Sequence, residues 1–495
     1  MSFFHVTKSI SKFYGSIITS LPQSFAISPS SFSPVSNELD NPKIPVSLCN
    51  YDDSSILKNP SIPLCDSSIV SHVDGFSPLD VCTKSAIHFP SPFTPFAPAP
   101  IKDFSELLEK DPSQYTVSDL IKLLSPKPYE QDELLFKAAD KCCREQYGGK
   151  VFLRGIIEFS NICRKNCLYC GIRKDSKEYS RFVLDDASIY QCIEKAIDTG
   201  YPGILLQSGE VLNETRIDWL CDICRGIKRI SKEKTGKEMT IILSIGELTK
   251  EQYQKLYDAG ADRYLLRIET SDRKLFKTIH PDDKFHSFDD RIQALRDLDD
   301  VGYHVGTGVL IGVPGQTIEH LAKDLFFFKA IHADMLGIGG YLPAVGTPLA
   351  DKFYSLCKTP EHQAAWLANT YSITRRVIAT ARLFLPHVNI SATTAMQVLD
   401  PNGRKNVLAS GANVVMEVLT PDEARKHYGL YGGKSEAVVT RARVEEECAD
   451  IGKELWVHGW GNPKAHGMKW KKRALEGIDV SGRRFEENPF IEELK

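Results

Sequence analysis

Three cysteines stand close together in the segment Cys163-Arg-Lys-Asn-Cys167-Leu-Tyr-Cys170, a C-x3-C-x2-C spacing. A 4Fe-4S cubane with a thiolate on every iron takes four cysteines, so an isolated triplet leaves one iron open to an outside ligand. That open iron is the reactive position. A structural zinc site is the bland alternative, but a closed zinc site takes four ligands, and the twenty residues after Cys170 contain neither His nor Cys. Thirteen cysteines in 495 residues, an odd number, do not read as the disulfide framework of a secreted protein. Cys142-Cys143 and the pair Cys221 and Cys224 fall inside helical patterns and read as buried free thiols.

The elements that must position the triplet follow from periodicity. From Val151 onward short apolar runs alternate with amphipathic stretches. The runs are Val151 to Phe159, Gly203 to Gln207, Met239 to Ile245, Arg263 to Ile268, His304 to Gly312, Met335 to Tyr341, Val388 to Thr393 and Ala412 to Val418. Helical segments lie between them at Asp185 to Thr199, Glu214 to Ser231, Thr317 to His332 and Pro360 to Leu383. Eight strands with intervening helices predict an α/β protein, a (β/α)8 TIM-type barrel over residues 151 to 435, with a doubly wound open sheet as the runner-up. Residues 102 to 150 predict two or three N-terminal helices, and 436 to 495 a polar C-terminal extension without an assignable role.

Barrel chemistry sits at the C-terminal ends of strands. The triplet follows the first strand directly, Gln207-Ser208-Gly209-Glu210 ends the second, Ser244 the third, and Arg267-Ile-Glu269 the fourth, while Arg291 opens the helix before the fifth. A carboxylate with backbone carbonyls suits an ammonium group, and a guanidinium suits a carboxylate. Singly, such residues are usually helix caps or surface ion pairs; their shared location favours chemistry.

Together these features resemble the radical S-adenosylmethionine (SAM) superfamily. The resemblance implies one cluster on Cys163, Cys167 and Cys170, with the amino and carboxylate groups of SAM on the open iron. An electron passed to the sulfonium then breaks the bond from sulfur to C5′ and frees a 5′-deoxyadenosyl radical. In that family Ser208, Gly209 and Glu210 stand where a Gly-Gly-Glu motif holds the methionine amino group, and Tyr169 packs beside the adenine. Further strings, Ile157-Glu-Phe-Ser-Asn-Ile-Cys163, Leu206-Gln-Ser-Gly-Glu210, Ala261-Asp-Arg-Tyr-Leu-Leu-Arg267, Gly312-Val-Pro-Gly-Gln-Thr317 and Ala392-Thr-Thr-Ala-Met396, look like FeFe-hydrogenase maturases of the HydE type over about residues 104 to 434. This closer resemblance implies SAM contacts at Ser244, Glu269 and Arg291. It implies a substrate cavity lined by Arg154, Arg263, Arg267, Thr393, Thr394, Met416 and Tyr428. Three arginines and two threonines inside an apolar barrel suit an anion, with core salt bridging as the structural alternative. The implied role is the processing of an organometallic, cysteine-derived iron precursor during assembly of the two-iron part of the H-cluster. Other hydrogenase maturases and a reductant such as ferredoxin are the implied partners. Some members carry a second cluster, but Tyr431-Gly-Gly-Lys434 is followed by no Cys until Cys448, so a second cluster is not expected here. The competing readings are a biotin synthase or methylornithine synthase type of enzyme acting on an organic substrate, and a non-catalytic iron-sulfur carrier.

Net charge of -3 leaves no polybasic footprint for nucleic acid. No apolar run reaches the roughly 18 to 20 residues of a membrane span. Residues 1 to 101 are Ser- and Pro-rich and read as a transit peptide and linker; the first 37 hold eleven Ser, no Asp and no Glu. The expected location is the matrix of a hydrogenosome or mitochondrion-related organelle, with the plastid stroma as alternative.

Overall fold

The structure is a computed structural model that describes residues 101–477, apart from 212, 435, 436 and 438. The leader therefore lies outside the described residues, save its last residue. Eleven strands follow one another: β1 Lys150–Ser160, β2 Gly203–Ser208, β3 Thr240–Ser244, β4 Arg263–Leu265, β5 His304–Thr307, β6 Leu310–Ile311, β7 Met335–Leu336, β8 Gly339–Gly340, β9 Asn389–Ile390, β10 Val414–Val418 and β11 Glu454–Trp456. Eight of them pair in parallel in the order β10-β1-β2-β3-β4-β5-β7-β9. A parallel bridge from Ser391 to Val414 joins the last to the first. It is reinforced by Asn413 N donating to Ile390 O at 2.9 Å and Ala392 N to Val414 O at 2.8 Å. The sheet curls into the predicted TIM-type barrel, and every crossover carries a helix as parallel pairing requires.

The apolar runs form strands because both faces of a parallel barrel are covered, so continuous rather than alternating hydrophobicity is stable. In β1, Val151, Leu153, Ile157 and Phe159 are all fully buried. Helix starts match local capping chemistry. Asn213 accepts from Arg216 N, and Thr249 and Thr317 form reciprocal capping boxes with Gln252 and His320.

Two predicted strands are broken in two. His304 to Gly312 becomes β5 and β6, and Met335 to Tyr341 becomes β7 and β8, each pair separated by two residues. At the break the Arg267 guanidinium donates to Gly337 O at 2.8 Å and Val309 O at 2.9 Å, drawing these carbonyls toward the interior. Gly308 lies so close to Gly337 that a Cβ on it would sit 2.0 Å from the Gly337 carbonyl oxygen. A side chain there would force the strands apart.

Ahead of the barrel, helices Ile101–Leu108, Val117–Leu124 and Tyr129–Tyr147 cover one flank. Arg376 on the long helix Pro360–Phe384 pins the third of them through a two-pronged contact with Asp132, at 2.8 and 2.6 Å. After the barrel, β11 pairs in parallel with Lys150 to Phe152 at the start of β1, and helix Lys464–Leu475 follows. No helix among the described residues is long and apolar enough to cross a membrane.

Candidate active site

The cysteine loop begins where β1 ends. Its shape is held by side-chain and backbone hydrogen bonds rather than by regular structure. Asn161 donates from its amide to Ser180 O and His427 O, both at 2.8 Å. Arg181 spans the loop by donating to the carbonyls of Asn161 at 2.7 Å and Ile172 at 2.8 Å. Asn166 N donates to His286 Nε2 at 3.0 Å, and Gly171 N to Leu430 O at 2.9 Å. Gly209 lies against this loop, and a Cβ there would stand 2.3 Å from Ile162 O and 2.8 Å from Cys163 Cβ.

Cys163, Cys167 and Cys170 are free thiols that line one cavity of about 350 Å³ inside the barrel. Burial raises all three thiol pKa values; for Cys167, pushed up to about 12, and Cys170, pushed well above its usual range, neighbouring thiolates add to the rise, and for Cys163 the Glu210 charge does. Three crowded thiolates in an apolar setting need positive charge beside them, which an iron cluster supplies. Among the described residues no three His, Cys, Asp or Glu side chains converge as a single metal ion requires. A cubane makes no such demand, since each sulfur binds a different iron. The donor set therefore fits the cluster.

Every other candidate cofactor or substrate residue named from the sequence lines the same cavity. Around the thiols, the half-buried Tyr169 lies edge-on to His280, with its hydroxyl 3.3 Å from His280 Nε2. The Ser208 hydroxyl donates to Gly209 O at 2.7 Å, and Ser244 pairs across the sheet with Gln207. The Glu210 carboxylate is heavily engaged. One oxygen accepts from Arg164 at 3.0 and 2.8 Å and stands 3.5 Å from Lys165 Nζ, and the other accepts from Glu247 N at 3.0 Å.

Glu247 was not singled out, yet it is central. It pairs with Lys165 Nζ at 2.5 Å and with Arg291. Lys165 is buried, with a side chain 3% exposed. Burial opposes the charge on Arg291, but Glu247 and Glu210 outweigh it and raise its pKa. Burial likewise acts against the Glu247 carboxylate, and Arg291 and Lys165 more than compensate, holding it below its ordinary value. Two carboxylates and three cations thus tie the cysteine loop to the ends of β2 and β3 and to helix Phe288–Val301, with a net positive charge beside the thiols. The sequence signal was present in Lys165, inside the triplet, and in Glu247, three residues past a strand end.

Glu269 takes a left-handed backbone, φ 66°, which among the described non-glycine residues only His332 shares. Such a conformation costs about 1–3 kcal/mol and persists where surroundings impose it. Here Arg267 grips both carboxylate oxygens at 2.8 Å. Thr393 donates to Ile338 O at 3.2 Å, and Tyr428 carries the Lys434 ammonium 5.2 Å above its ring. Thr394 bonds Tyr431, and Met416 lies beside Arg154 in register.

Toward the N-terminal ends of the strands sit Arg154 and Arg263, 1% and 0% exposed. Arg154 donates to Trp460 O and, at 3.1 Å, to Gly461 O. Arg263 donates to Trp460 O at 2.9 Å and to Asn462 Oδ1 at 2.6 Å. Its Nε and Nη1 are buried without a hydrogen-bond partner. Burial lowers both pKa values, that of Arg263 to about 10; Arg154 is lowered further by the Arg263 charge. The cavity thus has thiols at one end and two guanidinium groups at the other.

Comparison with known proteins agrees with this geometry. The radical SAM superfamily model matches residues 157–328. The FeFe-hydrogenase maturase subunit HydE of Thermotoga maritima is 40% identical over 330 residues, which is 66% of this chain and 88% of that protein. Among solved structures, methylornithine synthase (PylB) superimposes with a TM-score of 0.58 at 24% identity, covering 71% of this chain and 97% of that one. HydG, a maturase of the FeFe-hydrogenase, superimposes with a TM-score of 0.63 at 21% identity, covering 76% and 81%. At these identities the two structures speak for the fold alone, whereas the identity to HydE, spread over most of that protein, carries the family. This chain belongs to the radical SAM superfamily, within the family of the FeFe-hydrogenase maturase HydE.

Proposed function

We propose that this enzyme binds one 4Fe-4S cluster on Cys163, Cys167 and Cys170, cleaves SAM there, and uses the product on a small anionic, cysteine-derived or organometallic substrate during assembly of the H-cluster. The observation that carries this reading is the single cavity joining three free thiols to two buried arginines. The cluster, when bound, supplies the electron that splits SAM into methionine and a 5′-deoxyadenosyl radical.

The chain's own residues do the rest. Lys165, Arg291 and Arg164 surround Glu210 and Glu247 and keep a net positive field beside the thiols, which favours their thiolate forms. Ser208, Gly209, Ser244, Glu269 and Arg291 edge the cavity next to the cysteines, where SAM's amino and carboxylate groups find polar partners. Tyr169 lends an aromatic edge for adenine. The strained Glu269, gripped by Arg267, is held in place before any ligand arrives. Met416, Thr393, Thr394, Tyr428 and the arginines line the rest of the same cavity; a substrate that fills it would displace water and limit quenching of a reactive intermediate. Arg154 lies six residues before the end of β1, roughly 20 Å along the strand. A substrate anion held there stands away from the cluster and directs its other end toward the thiols.

Other hydrogenase maturases and a low-potential reductant such as ferredoxin are the proposed partners. A hydrogenosome or mitochondrion-related organelle is the proposed location; fusing residues 1–60 to a reporter tests it, and a plastid or cytosolic signal refutes it. For the chemistry, reduced anaerobic protein should release 5′-deoxyadenosine from SAM and restore hydrogenase activity with its partner maturases. Protein that releases none is an iron-sulfur carrier. Protein that instead rearranges lysine or adds sulfur to dethiobiotin belongs with the methylornithine and biotin synthases.

A further inference from the structure

The segment after the barrel lies beyond the stretch, about residues 104 to 434, over which the sequence resembles the family, and its residues carry no motif. Its position is nevertheless specific. β11 extends the start of β1, and the chain then passes beneath the barrel, bringing Trp460, Gly461 and Asn462 against Arg154 and Arg263. The segment is anchored on both sides. Trp460 Nε1 donates to Glu238 O at 3.0 Å, and Gly461 O accepts from Asn389 Nδ2 at 2.8 Å. Gly461 has φ 54°, and a Cβ there would meet the Phe152 ring at 2.4 Å. Beyond it His466 stacks on His304 at 3.5 Å, and Lys469 bridges Asp299 and Asp334 at 2.8 and 2.9 Å.

The chemistry of this contact is informative. Two buried guanidinium groups are met here by neutral acceptors, two backbone carbonyls and one side-chain amide, with no carboxylate in hydrogen-bond contact. Neutral acceptors orient an arginine without cancelling its charge. The donors that remain, Arg263 Nε and Nη1, are buried without a partner on a residue that lines the cavity.

The geometry points to residues 454–475 as the support beneath the two arginines that line the inner end of the substrate cavity, with Asn462 as a positioning residue whose neutral carboxamide stands where a carboxylate would cancel the Arg263 charge, so that the cavity selects a small anion. The inference rests on the substrate reading above and adds the element that sets the selectivity. A carboxamide in this place has a distinct signature, since the isosteric acid would neutralise the arginine that the carboxamide leaves charged.

The test uses the full chain, reconstituted anaerobically, with acetate as the anionic probe and acetamide as its neutral counterpart, followed by calorimetry. The unaltered protein binds acetate in preference to acetamide. Asn462→Asp lowers acetate affinity by tenfold or more, whereas Asn462→Ala, which removes the acceptor and leaves the charge, keeps it within about threefold or strengthens it. Equal losses in both variants, an aspartate variant that binds acetate normally, or no acetate binding by the unaltered chain each overturns the inference. Should the aspartate variant fail to fold, the alanine variant alone decides, since a tenfold loss there means that Asn462 serves the fold only. Release of 5′-deoxyadenosine by the unaltered protein is scored separately and judges the underlying reading.

Discussion

Asp324→Asn should abolish a pH dependence that one buried carboxyl imposes on the whole fold. Asp324 sits on helix Ile318–Ala330 and is 1% exposed. One of its oxygens accepts from Ser271 N and Ser271 Oγ, both at 2.6 Å, while the other is buried without a hydrogen-bond partner. Burial dominates over the Ser271 bonds and pushes its pKa up to about 7 from 3.8. The folded state therefore holds this proton more tightly than the unfolded chain does. No cost exists below the unfolded pKa, a cost grows as pH rises from there, and it is complete above the folded pKa. At about 1.36 kcal/mol per pKa unit, the cost is about 2 kcal/mol at pH 5.5 and about 4 kcal/mol at pH 8. The difference, about 2 kcal/mol, is the stability this group removes between the two pH values. For a fold of this size, with an unfolding entropy of about 2.1 cal/mol/K per residue, that difference moves the melting midpoint by about 2 to 3 °C. The assay is thermal unfolding of both proteins at pH 5.5 and pH 8. The asparagine variant should gain about 2 to 3 °C on the wild type at pH 8 relative to its position at pH 5.5. Identical pH slopes for the two proteins would refute the reasoning. The site shares in the outcome, because Ser271 follows the strained turn at Glu269 by two residues.

Replacing any of Cys163, Cys167 or Cys170 by Ser should remove the visible absorption of the reconstituted cluster and all release of 5′-deoxyadenosine, whereas Cys221→Ser, buried in a helix, should keep both. Glu247→Gln strips the buried Lys165 and the partly buried Arg291 of their shared carboxylate; unfolding experiments should show a loss of about 3–5 kcal/mol, and Lys165→Met in the same chain should recover part of it. Gly209→Ala drives a methyl group into Ile162 O and Cys163 Cβ; the expected cost is about 1–3 kcal/mol in stability, with lower iron content after reconstitution.

Much of this protein was legible in its sequence because the relevant information is local. The spacing of Cys163, Cys167 and Cys170 on one loop defines a cluster ligand set, and continuous apolar runs between amphipathic stretches define parallel strands and their helices. Those two facts put polar residues at strand ends, and the barrel then gathers them: Ser208, Ser244, Glu269 and Arg291 reach one cavity because parallel strands all end on the same side. The strand breaks were not legible, because they follow from Arg267 reaching carbonyls 42 and 70 residues away.

What the sequence determined alone was the chemistry available and the barrel to hold it. Tertiary structure decided which charges meet. Lys165 and Glu247 are 82 residues apart, and Arg263 and Asn462 are 199 apart. No local pattern marks such partners, since a buried ion pair or a neutral acceptor beneath an arginine exists only once the register of the closed sheet brings them within hydrogen-bond distance. The same closure set a polar tail to which the sequence assigned no role beneath two arginines of the cavity, because buried guanidinium groups require acceptors and the chain after β10 was the segment positioned to supply them.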